Sequence, residues 1–108
     1  MQNTISFLKI LADKNRLSIL YFLSKKELCV CDLMQLIPLT QGALSIQLKN
    51  LSKENLLSSR KDGKWVFYKL SEDINTSHKQ ILNKVFNEIK NDNYIKQTSK
   101  IRSQSCKN

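Results

Sequence analysis

Glycine and proline are nearly missing from this sequence: there are two of the first and one of the second in 108 residues. So few chain breakers exclude a loop-rich or fibrous protein, and the length suits at most one ordinary domain. Histidine occurs once. With no Gly-rich phosphate loop and no paired acid and base near a thiol, nothing meets the geometric requirements of an enzyme site. No apolar run approaches the roughly 18 residues that span a bilayer, and no basic segment followed by an apolar stretch opens the chain. The expectation is a cytoplasmic protein with no membrane partner. Acidic residues are also scarce. Nine Asp and Glu face eighteen Lys and Arg, for a net charge of +9. Such an excess asks for an anionic partner, nucleic acid first and a membrane surface second.

The charge is unevenly placed. Residues 40–70 hold six basic and two acidic side chains and residues 91–108 four and one, whereas residues 71–90 hold three of each. A neutral, apolar segment between two basic ones suggests a protein contact flanked by nucleic-acid contacts. Helical spacing of Ile5, Leu8 and Ala12, and again of Leu17, Leu20 and Leu23, opens the chain with two short helices, with Asn15 as the expected N-cap of the second. Val30, Leu33, Leu36 and Ile37 mark a third helix ended by Pro38. Thr40 caps a fourth, with Leu44, Leu48 and Leu51 inward, Ile46 and Lys49 outward, and Asn55 as a left-handed terminus.

From Leu57 the period changes to two, and Asp62-Gly63 signals a hairpin whose tip carries Arg60, Lys61 and Lys64. Ile74, Ile81, Leu82, Val85, Phe86 and Ile89 restore the helical period. Residues 91–108 are polar and basic and read as a weakly ordered tail. The fold class is therefore mainly α with one β-hairpin: a winged helix-turn-helix domain over residues 1–90, homodimeric. Apolar residues on the terminal helices, Ile5, Leu8, Ile81, Leu82, Val85, Phe86 and Ile89, are the expected dimer contacts. The fourth helix would lie in the major groove of double-stranded DNA. Thr40, Gln41, Ser45 and Gln47 would face base edges, Ile46 a thymine methyl, and Lys49, Lys53, Arg60, Lys61 and Lys64 the phosphates.

Of the three cysteines, Cys29 and Cys31 stand two apart where the third helix begins. So short a ring strains a disulfide, while a soft ion can bridge both sulfurs. A helix N-terminus favours the thiolate that binds such ions. Mid-helix, residues two apart point about 200° from one another, so joint ligation must distort the helix start and thereby move the third helix and, through the turn, the fourth. The spacing equally allows two small buried hydrophobes, the commonest fate of free cysteine.

Four segments in this order, Leu11 to Leu20, Glu27 to Leu33, Leu39 to Leu48 and Arg60 to Leu70, resemble the ArsR/SmtB family of metalloregulatory repressors. The likeness covers about residues 5 to 90. It implies a dimeric winged helix that holds operator DNA until an inducer binds. Cys29-Val30-Cys31 is similar to the motif of arsenite and antimonite sensors, so the resemblance implies As(III) or Sb(III) as inducer. In those sensors a further cysteine lies three residues after the second. Here Met34 stands there, leaving two thiolates alone, an external thiol, or Cys106 to complete the site. Cadmium and lead sensors with this motif add cysteines from an N-terminal extension, and no cysteine precedes Cys29. The zinc and nickel ligand positions on the last helix correspond to Glu72, Ile74, Val85 and Glu88, without either His, and His78 is expected at the surface. Ile46 and Gln47 replace the Arg and His common in the family, so the resemblance does not supply the operator. The rivals are a repressor answering to oxidants or reactive sulfur, and a constitutive DNA-binding protein whose thiols only pack.

Overall fold

A computed structural model describes residues 1–95. The chain runs α1 (Gln2–Leu11), α2 (Lys14–Lys25), β1 (Leu28–Cys29), α3 (Val30–Leu36), α4 (Gln41–Lys53), β2 (Leu57–Asp62), β3 (Trp65–Leu70) and α5 (Thr76–Ile89). Each boundary has a local cause. Helix α2 starts at Asp13, whose carboxylate accepts the backbone N–H of Arg16 at 2.9 Å, so Asp13 is the N-cap expected at Asn15. Asn15 lies inside the helix, where its side-chain oxygen accepts from the Tyr94 hydroxyl at 3.4 Å. Helix α3 ends because Ile37 precedes proline and is driven into extended backbone, φ −127 and ψ 131.

Helix α4 is fixed at both ends as the sequence predicts. The Thr40 hydroxyl accepts the Ala43 N–H at 3.2 Å. At the other end Asn55 sits at φ 63, and the bonds Asn55 N–H to Ser52 O and Leu56 N–H to Leu51 O, both 3.0 Å, form a Schellman motif. Leu44, Leu48 and Leu51 are buried almost completely, each worth about 1.5–3 kcal/mol of apolar transfer. They meet Ile19 and Leu20 of α2, Leu33 and Ile37 in and just after α3, and Leu56 and Leu57 at the start of the wing in one core.

The hairpin is present with its turn one residue later than expected. Asp62 pairs with Trp65, so the two loop residues are Gly63 and Lys64. Gly63 has φ +64 while Lys64 does not share a positive φ, the pattern of a turn that needs glycine first. A third strand joins it. Strand β1 pairs antiparallel with β3, giving the order β1-β3-β2. Cys29, Phe67 and Arg60 thus fall in one row across the sheet. Two residues show no periodicity, which is why the sequence hid this strand.

Two further expectations are corrected. Leu82 and Phe86 are buried within the protomer, and Phe86 packs edge-on against Tyr21 at 5.7 Å. They belong to the chain's own core, in one cluster with Ile19, Leu20 and Tyr21 of α2. The packed domain also extends past residue 90. Ile95 is buried in the core, and the Tyr94 ring lies under the Lys14 ammonium at 4.0 Å, so residues 91–95 are part of the fold and not of a weakly ordered tail.

Candidate inducer and DNA-binding sites

Cys29 closes β1 and is at the same time the N-cap of α3, while Cys31 lies in the helix's first turn. This double duty buries Cys29 to 1% exposure and leaves Cys31 half-buried. Asp32, itself buried, fixes the arrangement. One of its carboxylate oxygens accepts the Cys29 backbone N–H at 3.4 Å and the Cys29 thiol at 3.2 Å. Burial pushes the Cys29 thiol above its ordinary value, and the bond from the thiol to the Asp32 carboxylate and that carboxylate's charge push the same way, against the opposing effect of the Asp32 backbone N–H. The thiolate-favouring effect expected of a helix N-terminus is overridden, because the sulfur is desolvated beside an acid.

Among the described residues no group of three or more His, Cys, Asp and Glu is arranged to hold a metal ion. The soft donors near the site are the two sulfurs and Met34, which is 39% exposed and stands one turn beyond Cys31 on the same face of α3. Cys106 lies outside the described residues. The donor set fits a thiophilic centre of low coordination number better than a carboxylate- and imidazole-seeking cation. Ligation through the Cys29 sulfur would compete with the bond that holds its thiol to Asp32.

Of the residues expected to meet DNA, Gln41, Ser45, Ile46 and Lys49 are exposed on α4, together with Thr40 at its cap, while Lys61 and Lys64 are exposed on the wing. Two predicted contacts are not free. The Arg60 guanidinium makes a forked bond to Glu27, with Nε to both carboxylate oxygens at 2.9 and 3.0 Å and Nη2 to one of them at 2.7 Å, and it covers the Phe67 ring at 4.7 Å. Its charge is therefore matched by Glu27 in an ion pair at the surface. Gln47 is half-buried, and its side-chain oxygen is buried without a hydrogen-bond partner; its position flanking Leu44 and Leu48 turns it from the base-reading face. The Glu27 to Arg60 contact spans 33 residues, and the sequence's only signal for it was an acid beside the cysteine motif.

On the terminal helices, Ile5 and Leu8 are exposed, and Ile81, Val85 and Ile89 are half-buried. His78 stacks face to face on Phe7 at 4.1 Å, against a cleft also lined by Lys53, Asp73 and Asn75 and formed by elements other than α3. It is partly covered rather than a free surface side chain.

The helix-turn-helix segment is also where likeness to known proteins concentrates. The sequence profile "Bacterial regulatory protein, arsR family" matches residues 13–59. The solved structure of reduced HlyU from Vibrio cholerae N16961 superposes with a TM-score of 0.71 at 33% identity, covering 81% of this chain and 88% of that one. The chain belongs to the ArsR family. Within the family it is 48% identical over 71 residues to the arsenical resistance operon repressor of Escherichia coli (strain K12), a match covering 65% of this chain and 61% of that protein. It is 44% identical over 63 residues to the cadmium resistance transcriptional regulatory protein CadC of Listeria innocua, 57% of this chain and 53% of that one. The chain thus spans somewhat less than two thirds of these curated relatives. As an ArsR-family chain it has the winged-helix architecture expected from its sequence. These relatives are regulators, not enzymes. No described helix is long and apolar enough to cross a membrane.

Proposed function

We propose that this ArsR-family chain is a dimeric transcriptional repressor that leaves its operator when Cys29 and Cys31 bind trivalent arsenic or antimony. The observation that carries the reading is the placement of both thiols at the start of α3, the helix whose other end leads through Pro38 into α4. Bringing the sulfurs together costs the Cys29 thiol its bond to Asp32 and opens the first turn of α3. Because Leu33 and Ile37 pack in one core with Leu44 and Leu48, displacement of α3 is felt by α4. A second route runs through Glu27, two residues before Cys29, into Arg60 on the wing.

A trivalent metalloid would supply strong, directional bonds to sulfur. The likeness to the Escherichia coli arsenical repressor supports that inducer, and the likeness to CadC makes cadmium the comparison to run beside it. The oxidant reading is the comparison to run beside both, since Cys31 is only half-buried and is the more accessible of the two thiols. Dimerisation would use Ile5 and Leu8 of α1 with Ile81, Val85 and Ile89 of α5, a surface left partly uncovered by the protomer's own core. Lys49, Lys61 and Lys64 would neutralise phosphates, with Thr40, Gln41 and Ser45 at the bases.

The test is fluorescence anisotropy of the reduced protein on its own upstream DNA at fixed salt, titrated separately with arsenite, antimonite, cadmium, zinc and polysulfide. Release by arsenite and antimonite, lost in the Cys29→Ser/Cys31→Ser variant, is the expected result. Release by cadmium alone moves the chain to the cation sensors, release by polysulfide alone makes it a thiol redox switch, and no release leaves a constitutive DNA-binding protein.

A further inference from the structure

Apart from the first residue, Ile46 is the most exposed of the large apolar side chains among the described residues, at 61% against 47% for Leu8 and 39% for Met34. It stands on the outward face of α4 among exposed Ser45, Lys49 and Asn50, opposite the buried leucines. A β-branched apolar residue there gains nothing from the core and is a poorer helix former than Gln, Lys or Arg. Its branch is free to meet something outside the protomer.

The arginines narrow what that is. Arginine or lysine on guanine is the commonest specific base contact; α4 contains no arginine, and its lysines, Lys49 and Lys53, lie in its second half. Of the two arginines among the described residues, Arg16 is occupied with the end of α1, donating to Ile10 O at 3.0 Å and Lys9 O at 3.1 Å. Arg60 is held by Glu27. Beside Lys49, the outward face of α4 therefore offers an apolar branch, the Gln41 and Asn50 amides and small hydroxyls. Those groups match the thymine methyl and the adenine edge.

Resting on the DNA-binding reading above, we infer that α4 reads an A·T-rich half-site in which Ile46 packs against the C5-methyl group of a thymine in the major groove. Ile46 is thus a specificity-determining residue.

The experiment starts with selection of bound duplexes from a pool with a random centre, using the reduced full chain. Anisotropy is then measured on the best duplex and on copies in which each thymine of a half-site is replaced in turn by deoxyuridine, which lacks only the methyl. The expected result is an A·T-rich half-site and, at one thymine, an affinity loss of about fourfold, the worth of one buried methyl group. Ile46→Ala should bind the thymine duplex about as weakly as the wild type binds the deoxyuridine one, and should not distinguish the two. Ile46→Val should restore part of the discrimination. A G·C-dominated half-site overturns the inference, as does a deoxyuridine penalty that is absent or is unchanged in Ile46→Ala. In each of those results the protein still binds DNA. Failure to enrich or bind any duplex overturns instead the DNA-binding reading on which the inference stands.

Discussion

The two helices of the helix-turn-helix are built on opposite terms. Helix α4 has 13 residues, a threonine cap at one end and a Schellman motif at the other, and its three inward leucines are almost wholly buried. Helix α3 has seven residues, too few to persist without tertiary packing, and its first turn is closed by a thiol and a carboxylate instead of a hydroxyl cap. The element proposed to meet DNA is made to keep its shape. The element that carries the cysteines is made so that one local change releases its start.

The contrast breaks most visibly if the rigid partner is cut. Leu48→Ala should cost about 2–5 kcal/mol, read as a fall in the denaturation midpoint, with DNA affinity lost in parallel. Next comes the state of the first turn of α3. If it is closed, iodoacetamide at neutral pH should modify Cys31 at least roughly tenfold faster than Cys29, because reaction needs an exposed thiolate. Equal rates by mass spectrometry would mean that the turn is frayed before any inducer arrives.

Caps test the comparison with smaller effects. Thr40→Ala should cost about 1 kcal/mol and weaken DNA binding while the arsenite concentration for half-release stays put. Asp32→Ala should do the reverse, leaving DNA affinity near wild type and lowering that concentration severalfold, since opening the turn no longer breaks the Cys29 contact. The smallest effect concerns the wing. Lys61→Ala or Lys64→Ala should each reduce the slope of log affinity against log salt by about one, whereas Arg60→Ala should barely change it, its charge already being matched by Glu27. A full unit of slope lost at Arg60 would show that the ion pair opens on DNA.

Features encoded within a few neighbouring residues were legible beforehand. Thr40, the leucine stripe of α4, the left-handed Asn55 and the glycine of the hairpin all arise from local stereochemistry, and the cysteine pair stood out by spacing. Features that depend on distant partners were not. Strand β1 exists only because β3 offers it an edge, and the Cys29 thiol is set by burial that spacing does not encode. Arg60 reads as a free cation until the fold brings Glu27 to it. Leu82 and Phe86 look like contact residues for another chain until Tyr21 is seen beneath Phe86, and Ile95 reads as tail until its burial places it in the core.

Asn55 has one more consequence. It turns the chain from α4 into β2 with Leu56 and Leu57 already buried, and the Leu56 carbonyl is fastened to the Ser71 N–H at 2.9 Å beyond the far end of the hairpin. Helix and wing are therefore the two points of a stiff caliper whose opening one asparagine sets. Under the proposed function, an inducer would therefore move helix and wing together rather than change the gap between them.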